Sequence, residues 1–328
     1  MRFFRLFLII ISLGCFLFAN DDAPPVEYDY LSKKEVQYFI DMMVKKHHFE
    51  RNYLESVLKN AKFDTDTLKR YTGKYVAGST NGPWERYKAH VLDPVSLQKA
   101  KDFKKNYATT LERASKDYDV PVEYIVGFIG VESKFGEYTG DYRILDALAT
   151  LAFHPNRMQK FFKNEFEQLF LMSREQGYDI TKLQGSFAGA MGCVQQVPSV
   201  YRKFGMDYNN DGVKNPWDLE DCIGIIARFM HQNGWRNGMS VAVKTNFADN
   251  RYRGITPTHK STYTIETLNA NGIYATEEFQ EPRAYLLRLR NDTHDDLWLG
   301  GSNFRILTRY NNATTYGMAI HLIAQSVK

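Results

Sequence analysis

The segment Val122-Glu123-Tyr124-Ile125-Val126-Gly127-Phe128-Ile129-Gly130-Val131-Glu132-Ser133-Lys134-Phe135-Gly136 carries a carboxylate where an apolar side chain is expected. On a helix, the positions three, four and seven residues from Glu132 are Ile125, Phe128, Ile129 and Phe135, so Glu132 shares an apolar face. Gly136 is a natural helix terminator, which puts Glu132 in the last turn, at the negative end of the helix dipole. Desolvation and the dipole both disfavour the ionised form, so the pKa is expected to rise. A carboxylic acid still protonated near neutral pH is what a departing glycosidic oxygen needs. A Glu reaching solvent from a frayed helix end fits the same pattern, and periodicity alone does not choose between the two.

Two further segments carry chemistry. Gly185-Ser186-Phe187-Ala188-Gly189-Ala190-Met191-Gly192-Cys193-Val194-Gln195-Gln196 is a run of small residues ending in two amides. Small residues let a ligand approach the backbone, and Gln195 or Gln196 could bond an amide-bearing sugar; tight helix packing is the plainer alternative. Asp207-Tyr208-Asn209-Asn210-Asp211-Gly212-Val213-Lys214-Asn215-Pro216-Trp217-Asp218 fits an EF-hand loop. Asp207, Asn209 and Asp211 occupy ligand positions 1, 3 and 5, Gly212 the turn, and Val213 offers its carbonyl at position 7. Asp218 stands at position 12, where the bidentate Glu is usual, and is one methylene short; Asp221 is the alternative. The ion would be structural Ca2+, and the plain alternative is an Asx-rich turn without metal.

The elements that must hold these groups read as mainly helical. Ser32-Lys33-Lys34-Glu35 predicts a capping box opening a helix to about His47. Further helices are expected over 50–61, 94–118, 122–135, 142–152, 158–176, 198–204 and 222–233, and from Thr314 to Val327. Between 239 and 308 the texture turns β-prone, with short pieces at Val241–Val243, Tyr263–Ile265, Ala284–Leu289 and Phe304–Leu307. This gives a mainly α (α+β) chain with a helical segment at 21–115, a core at 116–238, a small inserted β-domain at 239–308, and a C-terminal helix at 309–328 packing back on the helical body.

Residues 1–20 have a secretory layout: Arg2 and Arg5, an apolar run from Leu6 to Phe18, then an abrupt polar turn at Ala19-Asn20-Asp21. The run is too short for a membrane span, and export to the periplasm is the expectation. Ser12-Leu13-Gly14-Cys15 matches a lipoprotein signal poorly; removal of Cys15 is favoured over lipidation, with an outer-membrane lipid anchor as the alternative. Losing Arg2 and Arg5 takes the formal charge from +4 to +2, which excludes a nucleic-acid footprint. An oxidising compartment permits a Cys193–Cys222 bridge without requiring one.

Several motifs in one order carry a resemblance: Ile129-Gly130-Val131-Glu132-Ser133, Arg143-Ile144-Leu145-Asp146-Ala147-Leu148-Ala149-Thr150-Leu151, Gly185 to Gly192, the cation loop, and Thr308-Arg309-Tyr310-Asn311 with Tyr316. From about Trp84 onward the chain resembles the membrane-bound lytic murein transglycosylase B family. The resemblance implies a lysozyme-like helical core. The implied activity is cleavage of the β-1,4 bond between N-acetylmuramic acid and N-acetylglucosamine of peptidoglycan, without water, leaving 1,6-anhydromuramoyl ends. It implies Glu132 as acid/base. It also implies Ser186, Gln195, Tyr310, Tyr316, Tyr87, Arg157 and Asn311 as saccharide contacts. As Ca2+ ligands it implies Asp207, Asn209, Asp211, Val213 and Asp221, which favours Asp221 over Asp218. Peptidoglycan glycan strands are the implied partner, and other cell-wall enzymes are candidate partners. Met158 replaces a second Arg beside Arg157, and Cys193 and Gln196 replace residues that are often aromatic. The usual hydrolase needs two carboxylates; here the substrate's N-acetyl oxygen would take the second role. A hydrolytic muramidase and a non-catalytic, calcium-stabilised scaffold are the rival readings.

Overall fold

The computed structural model describes residues 28–72, 84–247 and 250–328; the expected leader and Cys15 lie outside the described residues. The helices are α1 Lys34–His47, α2 Arg51–Asn60, α3 Thr65–Thr72, α4 Trp84–Val91, α5 Pro94–Asn106, α6 Ala108–Tyr118, α7 Val122–Ser133, α8 Ile144–Phe153, α9 Gln159–Gln176, α10 Pro198–Phe204, α11 Leu219–Gln232, α12 Ile265–Ala270, α13 Ser302–Tyr310 and α14 Thr314–Ser326. The strands are β1 Tyr142–Arg143, β2 Gln184–Gly185, β3 Ala242–Phe247, β4 Thr258–Thr264, β5 Ile273–Ala275, β6 Arg283–Arg290 and β7 Asp295–Gly300. The mainly α expectation therefore holds. No helix among the described residues is long and apolar enough to cross a membrane.

The chain separates into two compact units that interleave along the sequence. Among the described residues, one, here the carboxylate unit, includes 84–135, 223–247 and 250–328; the other, the loop unit, includes 28–72 and 136–222. In the loop unit, α1 buries Val36, Phe39, Ile40 and Met43, the stripe expected from their spacing. Phe39 meets Phe153 of α8 and Phe166 and Phe170 of α9 at ring-centroid distances of 5.7, 5.2 and 5.9 Å. The capping box does not form: Lys33 is the N-cap, and the Ser32 hydroxyl donates to the Asp29 carbonyl instead. Tyr142 and Arg143, expected in the helix, pair with Gly185 and Gln184 as a short antiparallel ladder before α8 begins.

In the carboxylate unit, Asp93 caps α5 by accepting from the Val95 and Ser96 amides, with Pro94 in the first turn. The long helix expected from 94 to 118 is broken at Tyr107, which leaves helical geometry at φ −109°, ψ 22°. The five-stranded antiparallel sheet runs in the order β4-β6-β7-β3-β5. Leu286 and Leu299 face each other across β6 and β7 and share a core with Leu268, Ile273 and Leu297. Phe304–Leu307, expected as β, is helical. The start of α13 is tied by the Glu281 carboxylate, which accepts from the Ser302 amide at 2.7 Å, and the helix buries Phe304, Ile306 and Leu307. A tertiary contact has overridden a local preference there.

Candidate active site

α7 is a helix buried nearly all round, from Tyr124 through Gly130, and Glu132 near its end is 8% exposed. The chain leaves α7 through three successive left-handed residues, Lys134, Phe135 and Gly136, at φ 48°, 64° and 87°. The Lys134 amide donates to the Gly130 carbonyl and the Phe135 amide to that of Ile129. The stop therefore comes before the expected Gly136, and two non-glycine residues carry positive φ. Phe135 folds back over Gly130, where a Cβ would stand 2.6 Å from the ring, and packs on Phe103 at 5.5 Å.

The Tyr316 hydroxyl, from α14, donates a short hydrogen bond to Glu132 Oε1. Phe128 lies edge-on to Tyr310 and Tyr316 at 5.4 and 6.4 Å, and Tyr310 sits on Phe229 at 5.0 Å. Tyr87 of α4 lies close enough for the Glu132 charge to bear on its hydroxyl. Burial pushes the Glu132 carboxyl up to about 8, against the opposing pull of the Tyr316 bond. Burial first, then the Glu132 charge, holds the Tyr316 hydroxyl well above the usual tyrosine range. Glu132 is thus an acid at neutral pH, and its donor remains a donor after Glu132 has lost its proton. Glu132, Tyr316, Tyr310 and Tyr87 are brought together in the carboxylate unit. Asn311 follows Tyr310 at the end of α13, and its buried Oδ1 accepts no hydrogen bond among the described residues.

Ser186, Gln195 and Arg157 belong to the loop unit. The Ser186 hydroxyl oxygen accepts from the Ala188 and Ala190 amides at 3.3 and 3.0 Å, folding the small-residue segment into a turn. Gln195 is left-handed at φ 47°, and its Nε2 donates to the Thr139 and Gly192 carbonyls, both at 2.9 Å. Those two bonds commit the amide nitrogen to the protein. Arg157 lays its guanidinium on the Tyr71 ring, 4.9 Å from the centroid, and donates to the Tyr71 carbonyl.

The cation loop turns through Asn210 at φ 62° and Gly212 at φ 92°. Asp207 accepts from the Asp211 and Gly212 amides, Asn209 from the Asp211 amide and Asp211 from the Val213 amide. Asp221 is fully inaccessible, and the loop's own amides reach it. Its Oδ1 accepts from the Tyr208 and Asn209 amides at 2.6 and 3.3 Å, and its Oδ2 from the Asn215 amide at 2.8 Å. Asp218 instead caps α11, accepting from the Glu220 and Asp221 amides, a role its spacing did not reveal. Among the described residues no cluster of three His, Cys, Asp or Glu side chains forms a metal site. The loop's donors are hard oxygens of mixed kind, which fit Ca2+ by type and order.

The loop's exit lies against the small-residue turn. Gly192 is left-handed at φ 64°, and a Cβ there would overlap the Pro216 carbonyl, which also accepts from the Cys193 amide at 2.8 Å. Cys193 and Cys222 are buried free thiols; their sulfurs donate to the Trp217 and Pro216 carbonyls, at 3.4 and 3.3 Å.

A family model described as the transglycosylase SLT domain matches residues 32–325. The chain is 38% identical over 306 residues to membrane-bound lytic murein transglycosylase B of Escherichia coli (strain K12), covering 91% of this chain and 84% of that protein. The fold matches the Escherichia coli lytic transglycosylase Slt35 solved in complex with bulgecin A. The TM-score is 0.84 at 38% identity, over 92% of this chain and 95% of that one. The same values hold against the Slt35 structure in complex with calcium.

Proposed function

The chain belongs to the transglycosylase SLT domain family, and from that premise we propose that it is a lytic transglycosylase of peptidoglycan with Glu132 as its one acid/base. The observation that carries the role of Glu132 is its setting: a carboxyl closed off from water, pushed up to about 8, with one hydroxyl donating to it. Such a group gives its proton to the oxygen leaving the anomeric carbon of N-acetylmuramic acid, and the C1–O4 bond breaks. The sugar's own N-acetyl oxygen stabilises the positive carbon. The Glu132 carboxylate, still hydrogen-bonded by Tyr316, then takes the proton of the 6-hydroxyl, whose oxygen bonds to C1. Water is not consumed, and the 1,6-anhydro ring is the product.

Ser186, Gln195, Arg157, Tyr87, Tyr310, Tyr316 and Asn311 are assigned as saccharide contacts. The unpartnered Asn311 Oδ1 supports its share, since a buried acceptor without a donor is costly until a ligand supplies one. Ca2+ is assigned to Asp207, Asn209, Asp211, the Val213 carbonyl and Asp221, where its charge would offset the acidic side chains and stiffen the loop. The membrane-bound description of the E. coli relative supports a place at the cell wall. Export by the leader and work in the periplasm on glycan strands, beside other cell-wall enzymes, complete the reading.

Mass spectrometry of digested sacculi tests it. Anhydromuramoyl ends are expected from the wild-type protein and far fewer from Glu132→Gln. Reducing muramic ends would make the enzyme a hydrolase, and undiminished clearing by Glu132→Gln would remove Glu132 from the chemistry.

A further inference from the structure

Glu132 reaches only one hydrogen-bond donor among the described residues, and that donor is on another helix. Its usefulness depends on where α14 lies against α7. A glycine in a helix interior weakens the helix, so its presence there calls for a packing reason. Gly127 is at the middle of α7, and a Cβ on it would stand 2.6 Å from the Ile320 carbonyl oxygen and 3.1 Å from Ile320 Cγ2. The backbone of α14 therefore rests on the backbone of α7 at this point. Three residues earlier on α7, the Tyr124 hydroxyl shares a buried 2.8 Å hydrogen bond with His321 Nδ1, the residue next to Ile320. Tyr124 is braced by Trp235 at 4.8 Å, and Trp298 lies 6.1 Å from the His321 ring. Burial lowers His321 to about 4, so this tie joins two uncharged groups at neutral pH.

Ile320 lies one helical turn beyond Tyr316. A short helix moves as a stiff body, so whatever lifts α14 off Gly127 also lifts the Tyr316 hydroxyl from Glu132. We propose that Gly127, together with the Tyr124–His321 bond, is a positioning device that seats α14 on α7 so that Tyr316 reaches Glu132, and so tunes the strength of the catalytic acid. The inference rests on the reading of Glu132 as that acid. The titratable groups facing Glu132 from the packed elements are the hydroxyls of Tyr316 on α14 and Tyr87 on α4, with Tyr310 on α13 behind Tyr316. Burial holds the Tyr316 and Tyr87 hydroxyls above the usual tyrosine range, so displacing α14 changes a hydrogen bond and not a charge. Tyr316 donates to the carboxylate and favours it, so losing the bond makes Glu132 hold its proton to higher pH.

The test is the pH profile of kcat/KM on purified sacculi for wild type, Gly127→Ala, Tyr316→Phe and the double variant. The alkaline limb is expected to move up by about one pH unit in each single variant, the size of one charge-assisted hydrogen bond. It should move no further in the double variant, because both changes remove the same bond. An unmoved limb in Gly127→Ala, whatever its rate, overturns the proposal, as does an additive shift in the double variant. If Gly127→Ala does not fold, Tyr124→Phe removes the second tie without adding an atom and should raise the limb by a smaller amount; an unmoved limb there overturns the proposal equally. The two readings fail separately. Full activity in Glu132→Gln would sink the acid assignment, whereas a shift in Tyr316→Phe without one in Gly127→Ala would sink only the positioning role.

Discussion

Glu132 and Asp221 are both carboxylates shut away from solvent, and the protein treats them in opposite ways. Glu132 stands among aromatic rings with a single hydroxyl donating to it. Asp221 lies under a loop that aims three backbone N–H groups at its two oxygens. Burial raises both pKa values, but at Asp221 three amide donors pull the other way. A carboxyl with one donor is arranged to hold and release a proton. At Asp221 burial still wins, and the three fixed dipoles offset part of it, which favours the ionised form that a cation site uses. Glu165, at 0% exposure on α9, is likewise raised by burial, with the Ser199 amide and hydroxyl at 2.8 and 2.7 Å pulling the other way where α10 begins.

The largest effect expected from this contrast is on turnover. Glu132→Gln keeps the shape and removes the proton, and should lower kcat on sacculi by about 10²–10⁴-fold, the usual worth of general acid–base catalysis. Comparable rates in Asp221→Asn and Glu132→Gln would erase the distinction. Next comes stability. Asp221→Ala strands three amide donors and should cost about 3–5 kcal/mol, read as a lower urea midpoint; a loss under 1 kcal/mol would mean that water takes over the carboxylate's role.

Glu132 should behave in the reverse sense. Its folded pKa of about 8 lies above the ordinary 4.5. Between those values the unfolded chain is ionised while the folded chain keeps the proton. Stability is therefore full below about pH 4.5, falls as pH rises, and stops falling above about 8. Glu132→Gln, always neutral, should be more stable than wild type by an amount that grows from pH 5 to 8, reaching on the order of a few kcal/mol. A pH-independent difference in melting temperature would contradict the buried-acid account. Smallest is the calcium effect. Ca2+ at a hundred times its dissociation constant should add about 2.7 kcal/mol and raise the melting temperature, and Asp211→Ala should abolish the rise.

What the sequence revealed of these two carboxylates follows from how far apart their partners lie along the chain. The apolar face around Glu132 was legible because Ile125, Phe128 and Ile129 are within one helix and repeat at its period. Tyr316, 184 residues away, leaves no local mark; only the family resemblance pointed to it. In the cation loop the spacing of Asp207, Asn209 and Asp211 is itself the signal. The choice between Asp218 and Asp221 stayed open from spacing because both sit where α11 starts, one as its cap and the other turned under the loop. The strand expected over Phe304–Leu307 gives way to α13 for a similar reason. Its tie to Glu281 spans 21 residues, and Phe304–Leu307 alternates well enough to pass for a strand. Gly127 was in plain view within α7, but its meaning needed the carbonyl of Ile320.

The bare backbone of Gly192 against the Pro216 carbonyl bears on how this protein can be rebuilt. The segment with Ser186 and Gln195 and the loop from Asp207 to Asp218 read as separate motifs, yet they meet where no side chain can be fitted. A cation loop grafted from a relative would seat only on a recipient that also has glycine at that position and its left-handed turn. For recombination between homologues, then, the stretch from Gly185 to Asp221 behaves as a single cassette, and crossover points belong outside it.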